Sequence, residues 1–181
     1  MTAVRVKICG LCREEDVHCA VEAGADALGF VFAPRSPRVL EPGRAAALVS
    51  AVPAFVSRVG LFMDQDPADV RTVLERVPLN LLQFHGSEDG AYCRSFGRPY
   101  IKALSMAPGQ KAGDVCAEYP DAAALLLDSH PPGGVGGTGR VFDWSTIPEL
   151  SLPVVLAGGL SPGNVRQAVA TVRPWAVDVS S

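Results

Sequence analysis

Apolar residues along this chain follow two alternating rhythms. Val4, Val6 and Ile8 recur at every second position, as on a strand with one face against a packed layer, and Val17, Ala20 and Val21 then recur at helical spacing. Short β-rich runs begin near Val4, Asp26, Phe55, Asn80, Tyr100, Ala123, Val154 and Ala176, with successive starts 20 to 31 residues apart. That is the rhythm of βα units. Between them, Val70, Val73, Leu74 and Val77 mark one buried helical stripe, and Val165, Ala168, Val169 and Val172 mark another. Asp66-Pro67 and Ser161-Pro162 each place a capping side chain before a proline at a first helical position. Glu14, Glu15 and Asp16 suit the positive end of the first helix.

Strands alternating with helices imply a parallel sheet, because parallel neighbours need a crossover. Eight of them predict an α/β fold closed into a (β/α)8 TIM barrel, one domain over residues 1–181. An open doubly wound sheet is the alternative, but neither a Gly-x-Gly-x-x-Gly fingerprint after the first strand nor a Gly-Lys-Ser/Thr phosphate loop is present. The chain stops at Ser181, where the eighth strand would hand over to its helix. The expectation is therefore a barrel truncated after the eighth strand, with lower stability and weaker hold on a phosphorylated ligand, or with another chain covering the exposed face.

Composition narrows the function. The 181 residues are 48% hydrophobic, enough for one core, and 16 Lys and Arg are spread among 19 Asp and Glu without blocks. Such a balance predicts no nucleic-acid or anionic-membrane partner and leaves a small molecule as the default. No apolar run approaches the length of a membrane span and no leader pattern opens the chain, so a cytoplasmic location is expected, as monomer or homodimer. Five irregularly spaced cysteines suggest reduced thiols. Cys19, on an apolar helical face, Cys93 and Cys116 read as small packing hydrophobes.

Barrel enzymes carry their chemistry at the C-terminal ends of the strands. Here those ends are polar. On the first strand the alternation directs Arg5, Lys7 and Cys9 into the lumen, where the charge needs a partner, either Asp178 or Asp128. Cys9 is followed by Gly10 and is the one cysteine with a special context. Residues two apart on a strand share a face about 6.6 Å apart, so Lys7 is expected to favour the Cys9 thiolate by lowering its pKa.

Seven ordered motifs then stand out: Lys7-Ile8-Cys9-Gly10; Gly29-Phe30-Val31-Phe32 with Ser36-Pro37-Arg38; Gln83-Phe84-His85-Gly86; Leu126-Leu127-Asp128; Gly136-Gly137-Thr138-Gly139 with Phe142-Asp143-Trp144; Gly158-Gly159-Leu160; and Val177-Asp178-Val179-Ser180-Ser181. Together they resemble the phosphoribosylanthranilate isomerase family of tryptophan synthesis, along essentially the whole chain. The resemblance implies an Amadori rearrangement without cofactor or metal. Cys9 would be the general base and Asp128 the general acid, which requires the Asp128 carboxyl to hold its proton well above its usual pKa of about 3.9. Arg38 matches the family's carboxylate-binding arginine. The phosphate would lie beyond strands seven and eight, among Gly158, Gly159, Ser180 and Ser181, and Asp178 is a further expected substrate-binding residue.

His85 is expected at the same end, contacting substrate or serving as a structural hydrogen-bonder. His18 and His130 are expected at the surface, and the glycine-dense 133–139 segment reads as a loop. Three rivals compete with this reading. Cys9-Gly10-Leu11-Cys12 has the spacing of a thioredoxin-type redox pair. A related phosphosugar barrel would use carboxylates or a lysine in place of Cys9. A truncated phosphate-binding remnant would have impaired catalysis or none.

Overall fold

The computed structural model describes residues 3–106, 116–129 and 142–180. The elements run β1 (Arg5–Cys9), α1 (Glu14–Glu22), β2 (Ala27–Val31), α2 (Pro42–Ser50), β3 (Ser57–Phe62), α3 (Pro67–Arg76), β4 (Leu81–Phe84), α4 (Gly90–Arg94), β5 (Tyr100–Ser105), β6 (Ala124–Asp128), a 3-10 turn (Trp144–Thr146), β7 (Val154–Leu156), α5 (Val165–Val172) and β8 (Ala176–Ser180). All eight strands are parallel and pair in chain order, and β8 closes the barrel on β1 with Lys7 opposite Asp178 and Cys9 opposite Ser180.

Alternation along the strands separates two cores. Outward side chains Leu28, Phe30, Phe62, Leu82, Phe84 and Tyr100 pack with Val17, Ala45, Leu48, Val70 and Val73 from the helices. Each buried Val, Leu or Phe among them contributes roughly 1.5–3 kcal/mol. Inward residues Ile101, Ala103, Ala124, Leu126, Val155, Ala157 and Ala176 fill the lumen. Small side chains predominate there because eight strands leave a narrow interior. Above them, toward the C-terminal ends, the lumen turns polar.

Several expectations shift at the element ends. The third strand begins at Ser57 rather than Phe55, whose ring stands wholly exposed in the preceding loop. Asp66 caps α3 through the Ala68 amide, as its position before Pro67 predicts. Ser161-Pro162, by contrast, forms a turn and not a cap. Asn164 holds that turn by accepting from the Ser161 amide and donating to the Gly159 carbonyl, and α5 starts at Val165. Arg5 is not lumenal. It lies at the N-terminal rim with its guanidinium 4.3 Å from the Trp175 ring centre. Cys19 is exposed because the inward stripe of α1 runs through Val17 and Ala20, and a residue two positions beyond Val17 points away from the barrel.

The outward Val6, Ile8 and Val179, on the two strands that close the barrel, are only half buried. No helix among the described residues is long and apolar enough to cross a membrane.

Candidate active site

Lys7 and Asp178 form a buried ion pair at 2.9 Å between adjacent strands, with both side chains almost fully enclosed. This answers which carboxylate neutralises the lysine: Asp178, not Asp128. The register explains it, since the two residues are direct partners across the β1–β8 seam. Burial works against the Lys7 ammonium. Asp178 and then Cys9 outweigh it and raise its pKa overall.

Cys9 follows on the same face and is 6% exposed among Val31, Ala33, Leu61 and Met63. Here the expected sign is corrected. Burial pushes the thiol pKa up, and although Lys7 pulls it down as expected, with Arg38 pulling the same way, the net shift is upward. A thiolate in an apolar pocket loses more hydration than one neighbouring ammonium, already committed to Asp178, restores.

Gly10 and Gly29 make room around this thiol. Gly10 has φ +86°, and a β-carbon there would lie 2.7 Å from Arg38 Nη1. The guanidinium thus lies over the end of β1, where it donates to the Ser180 hydroxyl. Arg38 and Ser180, predicted to hold opposite ends of a ligand, are in direct contact. Cys12 directs its thiol to the Gly10 and Arg38 carbonyls at 3.5 Å each, and burial raises its pKa too. A dithiol redox pair needs the reverse, a stabilised thiolate.

Asp128, the last residue of β6, shares the inward face of Ala124 and Leu126. His85 Nε2 stands 3.5 Å from its Oδ2. Gly158 lies against it: φ is +80°, and a β-carbon would meet Ser129 Oγ at 2.4 Å and Asp128 Oδ1 at 2.7 Å. Gly159 follows with φ +66°, turning the chain toward α5. Two successive left-handed glycines let the backbone at the end of β7 approach the mouth closely. Ser181, His130 and the 133–139 segment lie outside the described residues. His18 is exposed on α1, 3.7 Å from Glu14.

Sequence reasoning missed two groups. Gln83, wholly buried and inward-facing, sets its Nε2 3.1 Å from His85 Nδ1. Strand alternation was the available signal, since residues 83 and 85 must share a face. Beside them, Glu88 accepts from the Asp64 and Gly86 amides at 2.8 Å each and pairs with Lys102 Nζ at 2.9 Å. Both charged ends are almost fully buried. Lys102 also donates to the Gly86 carbonyl, so this pair fastens the loop that carries His85. Among the described residues no group of three or more His, Cys, Asp or Glu is placed to hold a metal ion.

A closed parallel barrel with thiol, carboxyl, imidazole and guanidinium groups gathered at the C-terminal ends of its strands is the arrangement of a β/α-barrel enzyme. The N-(5'phosphoribosyl)anthranilate (PRA) isomerase family model matches residues 6–181. The N-(5'-phosphoribosyl)anthranilate isomerase of Thiobacillus denitrificans is 56% identical over 180 residues, covering 99% of this chain and 88% of that protein. The crystal structure of phosphoribosyl anthranilate isomerase from Thermus thermophilus superposes with TM-score 0.84 at 38% identity, covering 98% of this chain and 87% of that one. A second solved structure is that enzyme type in complex with reduced 1-(o-carboxyphenylamino)-1-deoxyribulose 5-phosphate. It matches with TM-score 0.82 at 38% identity, over 99% of this chain and 88% of the other. The chain therefore belongs to the phosphoribosylanthranilate isomerase family, enzymes of tryptophan biosynthesis.

Proposed function

We propose that this chain isomerises N-(5'-phosphoribosyl)anthranilate by an Amadori rearrangement, with Asp128 as general acid and Cys9 as general base. Asp128 protonates the furanose ring oxygen, the ring opens to an imine, and Cys9 removes the proton from the adjacent sugar carbon. The resulting enamine then tautomerises to the ketose-derived amine. The observation that supports this most is the placement of Cys9 and Asp128 as the last residues of two different strands, both on the lumenal face. An acid and a base held on separate rigid strands can act at two atoms of one substrate.

The remaining groups fit the ends of that substrate. Arg38 offers a planar fork to the anthranilate carboxylate. Gly158 and Gly159, at the end of β7, fit the phosphate, whereas the Ser180 side chain is engaged by Arg38. Lys7 and Asp178 lie below the thiol and set its electrostatic surroundings. No cofactor enters the scheme, because proton transfers alone complete it.

Turnover of the fluorescent substrate tests the assignment. Cys9→Ala and Asp128→Asn should each lower kcat by roughly 10²–10⁴-fold. Cys12→Ser should retain activity. Full activity in either of the first two would refute the role given to that residue, and loss with the third would revive a dithiol mechanism.

A further inference from the structure

Gln83 is a wholly buried amide that the rearrangement does not itself require. One end sits 3.1 Å from His85 Nδ1, while its Oε1 has no hydrogen-bond partner. A buried carbonyl oxygen without a partner costs about 1–3 kcal/mol, so this amide is held at a cost to stability. The amide nitrogen can only donate. With the amide nitrogen turned toward the ring, as in the structure, Nδ1 accepts and the ring proton sits on Nε2. That is the nitrogen 3.5 Å from Asp128 Oδ2.

We infer that Gln83 is a positioning residue that fixes the Nε2–H tautomer of His85, aiming a neutral hydrogen-bond donor at the Asp128 carboxyl. The inference rests on the acid role proposed for Asp128. A carboxylic acid that gives up its proton gains negative charge as it does so. A donor already oriented toward it favours that charge without carrying a full positive charge itself. With Gln83 absent, the ring populates both tautomers. The one with its proton on Nδ1 turns a lone pair toward Asp128 and opposes ionisation.

The arrangement accounts for the chemistry at both ends. Glu88 and Lys102 hold the backbone of Gly86, next to His85, while Gln83 holds the ring from the strand below. The loop anchor sets where the imidazole lies, and the amide sets which nitrogen carries its proton.

Nitrogen-15 NMR of the imidazole, at a pH where the ring is neutral, reads the tautomer directly. The wild-type protein should show protonated Nε2 and bare Nδ1. Gln83→Leu, close in volume, should show a mixture, and Gln83→Glu should move the proton to Nδ1, where the new carboxylate accepts it. In turnover, Gln83→Leu should lower kcat about tenfold with KM within twofold, the scale of one lost hydrogen bond felt in the transition state.

A wild-type ring protonated on Nδ1, a tautomer unchanged in both variants, or an unchanged kcat would overturn the inference. Because the tautomer is read without substrate, failure of the isomerase assignment is separable. In that case wild type and variants would all be inactive on the phosphoribosyl substrate while the NMR pattern still followed residue 83.

Discussion

Across the β1–β2 pair the sulfur of Cys9 faces Gly29 so closely that a β-carbon on Gly29 would stand 2.7 Å from Sγ and 3.0 Å from the Cys9 backbone. The glycine is there for space, since nothing in its backbone conformation demands one. Gly29→Ala should displace the thiol by a fraction of an ångström and lower kcat roughly a hundredfold. The overpacking should cost about 1–3 kcal/mol in urea unfolding. Gly43→Ala, with open space around its added methyl, is the control and should leave kcat unchanged. Equal kinetics for both variants would show that the close fit at Cys9 has no bearing on turnover.

The upward shift of the thiol pKa predicts how activity follows pH. A base must shed its proton before it can take one, so kcat/KM should climb on the alkaline side of the ordinary thiol value of about 8.5. Burial sets this limb first by pushing it up; among the charged neighbours Lys7 pulls it down, Asp178 pushes it up and Arg38 pulls it down. Lys7→Met should move the limb to higher pH. A limb unmoved by that change would remove Lys7 from the electrostatics of the thiol.

Stability should fall with pH in the same region. Cys9 and Lys7 both have folded-state pKa values raised above those of the unfolded chain, so each retains a proton in the native state that the unfolded state gives up. The native state then binds more protons than the unfolded one, and stability decreases as pH rises. The Cys9 contribution starts to fall near pH 8.5 and that of Lys7 near 10.4. Urea midpoints measured from pH 7 to 11 should decline through this window, and a flat profile would contradict the shifts.

Lys102 and Glu88 make a buried pair that also holds the Gly86 backbone. Glu88→Gln should strand the Lys102 ammonium and cost about 3–5 kcal/mol. The Glu88→Gln/Lys102→Met double variant should recover part of that loss, because it removes the uncompensated charge. A double-mutant cycle in urea measures the coupling. Strict additivity would mean the two charges do not depend on each other.

Arg38 supplies a test of substrate geometry. Arg38→Lys keeps the charge but loses the fork, and KM should rise about tenfold with a smaller change in kcat. An unchanged KM would place the carboxylate elsewhere.

Much of the fold was legible because eight strand starts at regular spacing, with glycine and proline punctuation, allow few topologies. Lys7 and Cys9 could be put in the lumen from alternation alone. What could not be read were quantities that depend on enclosure. The Lys7 charge pointed to a lowered thiol pKa, and the depth of the Val31, Ala33, Leu61 and Met63 pocket reversed the sign. The partner of Lys7 was ambiguous until the β1–β8 register set it opposite Asp178. Glu88 and Lys102 lie fourteen residues apart and look like ordinary surface charges in the sequence. Ser161-Pro162 carried a helix-start signal that Asn164 took over by folding the preceding residues into a turn.

The apolar pocket around Cys9 also bears on how the protein ages. Peroxide attacks thiolates, and a thiol held above its ordinary range offers few of them near neutrality. Cys19, out in solvent, should be oxidised first and without loss of turnover, as mass spectrometry of peroxide-treated protein alongside activity would show. The proposed catalytic base would thus be the thiol that oxidative damage reaches late.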